Sequence, residues 1–255
     1  MSINSTMNAS RSRGFTLVEM AMVLMIIGLL LGGLVPTISS QMEQQQTRET
    51  RKQLDEIQQA LVGYAIINGR LPCPANPTIA TGQSTAGAEA VTGTACSTVA
   101  NNAAVGVLPW ATLGVNETDA WGNRFTYRVT AIFADEVSTD TFGGSCPSGT
   151  TATLSSFALC SSGNLDVQSS ASGGTSIAIN VPAVVISHGK NGGGAYTQQG
   201  TQVTNSSDAD EQENSDGSAD NNYVSHTPTP NFDDLVIWLS PNTLSNRMVA
   251  AGKLP

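Results

Sequence analysis

The longest uninterrupted apolar stretch lies near the start of the chain, from Phe15 to Val35, and one ionisable side chain, Glu19, sits inside it. Roughly 20 apolar residues suffice to cross a bilayer. Arg11 and Arg13 precede the stretch with no acidic residue nearby, so the positive-inside rule places residues 1–14 in the cytoplasm and the remainder beyond the membrane. Pro36 follows at once and is expected to kink or locally melt a continuing helix. Past it, Gln41 to Arg51 is polar and rich in helix formers, and Leu54, Ile57, Leu61 and Ala65 recur at helical spacing. That stripe predicts a helix face packed on a globular domain, stopped at Gly69. The N-terminal helix is assigned to residues 15–70, with 15–35 in the membrane or filament core and 36–70 amphipathic. A continuous helix from Phe15 to Asn68 would be roughly 80 Å long.

Residues 71–118 are rich in Ala, Thr, Gly and Pro and read as an irregular connection. The remainder, 119–255, alternates in a way that predicts strands. Phe125, Tyr127, Val129 and Ala131 interleave with Thr126, Arg128 and Thr130. Leu154–Leu159 is a shorter candidate, Ile177–Ser187 reads as a central strand interrupted at Pro182, and Asp234–Leu239 reads as a closing strand. Ser240-Pro241 predicts a helix start and Gly252 its stop. The expected fold is α+β: one long helix, then an antiparallel sheet of three to five strands packed on its second half.

The net charge is −9 with a pI near 4.5. A sequence-independent grip on nucleic acid needs clustered Lys and Arg, so no nucleic-acid partner is expected. Four cysteines, Cys73, Cys96, Cys146 and Cys160, lie beyond the apolar stretch and form no CxxC pair. An even count there fits disulfides in an oxidising compartment. Of three possible pairings, Cys73–Cys96 with Cys146–Cys160 is preferred, each stapling a loop that lacks a core of its own. Catalytic signatures are missing: there is no GxSxG, HExxH or P-loop. The adjacent pairs Ser187-His188 and Ser225-His226 would point to opposite faces of a strand, so a membrane-anchored periplasmic enzyme is a distant alternative.

A secretory signal peptide would be cut after the apolar run at a small-x-small site, and Val35 to Ser40 offers none. Neither that reading nor a plain anchor accounts for Glu19, since an ionisable group in lipid ordinarily has an assigned partner. Arg13-Gly14-Phe15-Thr16-Leu17-Val18-Glu19 resembles the prepilin cleavage and methylation motif of type IV pilins and type II secretion pseudopilins. The resemblance implies a leader ending at Gly14, cleavage by prepilin peptidase, and N-methylation of Phe15 by the same enzyme. It also implies a role for Glu19 in assembly with other pilin or pseudopilin subunits on an inner-membrane platform, and a proline kink like that at Pro36. Asp119-Ala120-Trp121-Gly122-Asn123, Val185 to Gly192, and Asp233 to Trp238 are similar to motifs of the major pseudopilin class. These imply a pilin fold, a single-pass inner-membrane protein with its C-terminal domain in the periplasm, and a structural, non-catalytic role in secretion. A surface pilus subunit for adhesion, motility or DNA uptake is the alternative. Major pseudopilins commonly hold calcium between their last strands. The corresponding carboxylates here are Asp208, Asp210, Glu211, Glu213, Asp216 and Asp220, with Asn191 standing where that class often has Asp.

Overall fold

A computed structural model describes residues 14–135, 146–147, 154–216 and 220–254; the side chains of 31–39 lie outside that set. The chain divides into two units, Met1–Gln45 and Gln46–Pro255. One helix, α1 (Leu17–Asn68), contributes to both.

In the first unit α1 exposes every described side chain of its apolar run, among them Leu17, Leu24, Met25 and Leu29. Among the described residues no helix is long and apolar enough to cross a membrane. Positions 31–35, the end of the run read from the sequence, belong to those whose side chains are not described. The helix is not broken at Pro36, contrary to a local melt, and runs on to Asn68. Gly69 ends it at φ 75°, a left-handed conformation that costs glycine nothing.

The second unit has three layers. Chain order gives β1 (Val91–Thr92), β2 (Ala95–Cys96), β3 (Val99–Ala100), β4 (Ala103–Val107), α2 (Trp110–Leu113), β5 (Thr126–Thr130) and α3 (Ala131–Ala134). There follow β6 (Leu165–Gln168), β7 (Ser176–Val181), β8 (Ala183–Ser187), α4 (Ala209–Ser215), β9 (Asn222–Val224), β10 (Leu235–Leu239) and α5 (Pro241–Ala250). The main sheet is antiparallel in the order β10-β8-β5-β4-β3. A smaller sheet has the order β7-β6-β9, in which β6 and β9 run parallel.

Leu54, Ile57, Leu61 and Ala65 of α1 are buried with Tyr127, Val129, Ala183, Val185, Leu235, Leu239, Leu244 and Met248. This is the helix face that the periodicity predicts. On the other side of the main sheet, Val184 and Ile186 of β8 meet Leu165, Val167, Val181 and Tyr223 of the smaller sheet. Strand β8 is therefore covered on both faces, which explains why its sequence is an unbroken apolar run rather than an alternation.

Three expectations change. Ile177–Ser187 is two strands in different sheets, β7 and β8. Asn180 turns at φ 55° and Pro182, which has no N–H to give a ladder, forms the corner and accepts from Thr130 N at 2.8 Å. Leu154–Leu159 forms bends and a turn, not a strand; its buried Phe157 packs on Phe133 at 4.7 Å between ring centroids. The connection at 71–118 is more ordered than its composition implies, because β4 inserts into the main sheet beside β5.

Cys73 is bonded to Cys96 and Cys146 to Cys160, with Cα separations of 5.3 and 5.1 Å. Cys73 and Cys96 lie within the main core, so that bridge ties the start of the connection to β2, which pairs antiparallel with β1. Replacing the pair (Cys73→Ser with Cys96→Ser) is expected to lower stability by about 2–4 kcal/mol. The readout is a fall in the unfolding free energy of the extracted protein in urea, with a steeper slope because the unbridged denatured chain exposes more surface.

Candidate functional site

At the N-terminal end, Gly14 and Phe15 are exposed and precede the first turn of α1. Thr16 and Glu19 close a reciprocal cap. Glu19 Oε2 accepts from Thr16 N and from Thr16 Oγ1, both at 2.8 Å, and Glu19 N donates to Thr16 Oγ1 at 3.2 Å. Thr-x-x-Glu at a helix start satisfies two N–H groups that have no intrahelical partner. The Thr-x-x-Glu spacing is present in the sequence, where Glu19 otherwise stands as a carboxylate within an apolar run and as part of the prepilin-like motif. In a single chain the carboxylate is thus held at the helix N-terminus, three residues from the cap.

In the second unit the three pseudopilin-like motifs meet. Asp119 Oδ1 accepts from Trp121 N at 3.0 Å and Asn123 N at 2.9 Å, which shapes the turn, while Oδ2 accepts from Ser187 Oγ at 2.7 Å. Asn123 Nδ2 reaches Gly189 O at 3.4 Å. Gly189 turns at φ 56°, and a Cβ there would collide with Asp233. Asp233 Oδ2 in turn accepts from Lys190 N and Asn191 N, both at 3.1 Å. The motif residues are therefore a hydrogen-bonded frame around one glycine turn.

Arg124 builds a second frame. It is fully buried, lies over the Trp110 ring at 4.6 Å, and donates to Glu117 Oε1 at 2.9 Å. It also donates to Pro77 O at 2.9 Å and to Thr81 Oγ1 and Gln198 O, each at 3.2 Å.

A carboxylate cluster lies beside the glycine turn. Glu211, Asp233 and Asp234 each present an oxygen within 4.8 Å of the others. Glu211 and Asp234 are buried, and Asp233 Oδ1 and Asp234 Oδ1 have no hydrogen-bond partner. Asn191 Nδ2 donates to both Glu211 oxygens at 2.9 and 2.8 Å, and Asp233 N donates to Glu211 Oε1 at 2.9 Å. Asn214 Nδ2 holds the other oxygen of Asp234 at 2.8 Å. Burial above all pushes the Asp233 carboxyl up to about 6 and that of Asp234 well above the usual carboxylate range. Asp234 Oδ1 lies 3.7 Å from His188 Nδ1, beyond hydrogen-bond distance. Two buried carboxylate oxygens without a hydrogen bond, with a third carboxylate alongside, fit a hard divalent cation, which takes oxygen ligands.

Of the six carboxylates read from the sequence, only Glu211 joins this cluster. The stretch is also not a plain acidic loop, because residues 209–215 form α4. Asp208 caps that helix, accepting from Asp210 N at 3.0 Å and Glu211 N at 3.4 Å. Asp210 accepts from Ala171 N at 2.7 Å and contacts His226 Nε2 at 3.1 Å. Asp220 accepts from Asn222 N at 2.7 Å. Glu213 and Asp216 lie towards the end of this stretch, where burial and then their neighbouring carboxylates raise both. In the sequence Asp233 and Asp234 stand at the edge of the closing strand, and the signal for the cluster is the pair of aspartates ahead of Leu-Val-Ile-Trp.

The Ser-His pairs form no nucleophile–base couple. Ser187 is bound to Asp119, and His188 Nε2 lies 2.8 Å from Thr126 Oγ1. Burial alone pulls the His188 imidazole down to about 4. His226 contacts Asp210 and stacks on Phe232 with ring centroids 3.9 Å apart.

Residues 9–35 match the family model described as the prokaryotic N-terminal methylation motif. This match supports recognition of the chain as type IV pilin-like. No curated protein and no solved structure matches the chain.

Proposed function

We propose that this chain is a filament subunit of the type II secretion kind, a pseudopilin, made as an inner-membrane precursor with its C-terminal domain in the periplasm. Prepilin peptidase would cut between Gly14 and Phe15 and methylate Phe15. The new terminus and the apolar part of α1 would then assemble with other subunits on the inner-membrane platform. One coincidence carries the reading: the methylation-motif match at 9–35 spans the exposed Gly14–Phe15 junction, the start of α1 and Glu19. Its physical logic is that a carboxylate in lipid lacks hydration and is stabilised by a neighbouring subunit's terminal ammonium. The family is structural, and in this reading Glu19, which caps the first turn of α1 in the single chain, becomes a charge partner on assembly.

The secretion role, as against a surface pilus, is favoured by the frame that joins Asp119 and Asn123 to Ser187 and Gly189. Those residues belong to the motifs similar to the major pseudopilins. Calcium is part of the same reading, held by Glu211, Asp233 and Asp234 rather than by Glu211 with the other five carboxylates of the sequence expectation. When bound, the ion would supply charge neutralisation to three converging carboxylates.

The mature protein is expected to begin at N-methylated Phe15. Intact mass and N-terminal sequencing of membrane-extracted protein check this. A terminus at Met1, or one beyond Val35, would sink the reading.

A further inference from the structure

Beside β4 and β5 lies a cavity of about 420 Å³, lined in part by Val105, Gly106 and Thr126. That volume falls within the roughly 300–1,000 Å³ of small-molecule sites. Its other walls come from the start of the connection at Asn76 and Pro77, from the segment 194–202, and from the end of α4. Close contacts fix these walls against one another. Ala75 N donates to Val107 O at 2.8 Å and Val107 N to Ala75 O at 3.1 Å, and Arg124 N donates to Tyr196 O at 2.9 Å. Gly194 lies so near Ser215 that a Cβ on it would come within 2.2 Å of the serine Cβ. The cavity is therefore formed before any ligand arrives.

The residues around it carry polar groups that the fold leaves over. Asn76 Oδ1 is taken by Thr78 N and Thr78 Oγ1 at 3.0 and 2.8 Å, which leaves its Nδ2 to donate. Gln202 Nε2 is taken by Gly194 O at 3.0 Å, which leaves its Oε1 to accept. Among the described residues, the side chains of Thr98, Tyr196 and Asp216 have no hydrogen-bond partner. Asp216 is half-buried, and burial first, then Asp220, raises its carboxyl. A partly dehydrated carboxylate of this kind is a strong acceptor in want of a donor.

Charge and hydrogen bonding together select the ligand. Asp216 is the one charged group among the described lining residues, which include no Lys, Arg or His, so an anion is repelled. A wholly apolar ligand would strand the amide and hydroxyl groups. A hydroxylated ring meets both conditions: its hydroxyls donate to Asp216 and Gln202 Oε1 and accept from Asn76 Nδ2. Its C–H face meets Val105, Pro77 and the ring of Tyr196, an amphipathic side chain with an apolar body and a polar tip. We infer that this cavity is a binding site for a neutral sugar. None of Glu211, Asp233 and Asp234 lines it, so it is separate from the carboxylate cluster, and it does not require the chain to assemble.

The test uses the full-length chain extracted in a polyoxyethylene detergent, because a sugar-based detergent would compete for the site. Saturation-transfer NMR is recorded with glucose, galactose, mannose, N-acetylglucosamine, maltose and lactose, and with glucuronate as the anionic control. Ring-proton signals are expected from at least one neutral sugar, with glucuronate about tenfold weaker or more. Asp216→Asn, which removes the charge but not the shape, is expected to weaken the best sugar about tenfold. Tyr196→Ala should weaken it similarly. Thr98→Trp, at an exposed position on the rim, should abolish binding, with an unchanged melting temperature showing that the fold is kept. Silence from every neutral sugar, binding that none of the three substitutions moves, or glucuronate bound as tightly as the best neutral sugar would each overturn the site.

Discussion

Replacing Glu19 by alanine in the full-length chain should leave the amount of membrane-inserted protein unchanged and nearly abolish filaments. Removing one partner of a buried charge pair costs roughly 3–5 kcal/mol, which corresponds to more than about a hundredfold in assembly. Insertion is not impaired, since an ionisable group leaves the apolar run. The Thr16–Glu19 cap complicates a single substitution, because alanine also removes hydrogen bonds to Thr16 N and Oγ1. Glu19→Gln separates the two effects: glutamine at the third helical position still closes the cap but carries no charge. Filament yield at matched subunit content is the measurement. Assembly restored by Glu19→Gln would mean that Glu19 serves the helix start alone.

The second large effect is expected from calcium. Glu211, Asp233 and Asp234 converge within 4.8 Å, so an ion at a hundredfold excess over its dissociation constant would stabilise the fold by about 2.7 kcal/mol. For a chain of this size that amounts to roughly 5–10 °C in melting temperature. Melting of extracted full-length protein in calcium, in magnesium and in chelator gives the number. Magnesium should do much less, because it demands strict octahedral geometry and sheds water reluctantly. Asp233→Asn should remove the calcium response. Asp208→Ala should cost about 1 kcal/mol through loss of a helix cap yet keep the response. A response lost with Asp208 and kept with Asp233→Asn would return the site to the acidic segment read from the sequence.

That contrast shows what a single sequence exposes and what it hides. The helix face through Leu54, Ile57, Leu61 and Ala65 was legible because its periodicity is local and its burial follows from it. Strand β5 was legible as an alternation, but Arg128 was not recognisable as buried. Its guanidinium reaches Asn221 Oδ1 at 2.8 Å, a partner far away in the chain. The split of β7 from β8 turned on Pro182, whose meaning depends on which sheet each side joins. The carboxylate cluster escaped for the same reason. Charge density along the chain pointed to 208–220, whereas the groups that converge come from α4 and from the residues just ahead of β10. Motif residues such as Asp119 and Asn123 were visible as letters, and only the fold shows that they hold Ser187 and Gly189.

Arg124 carries one more consequence. It fastens Pro77, Thr81, Glu117 and Gln198 around a single guanidinium, so the start of the connection is held on both sides of the turn at residues 78–80. Residues 82–85 lie just past one anchor and are exposed, and added loop length costs little once the ends are held. A short foreign peptide spliced after Gln83 would therefore leave the sheet and its disulfide where they are. In a filament of the kind proposed, the insert would repeat at every subunit and make a regular display lattice.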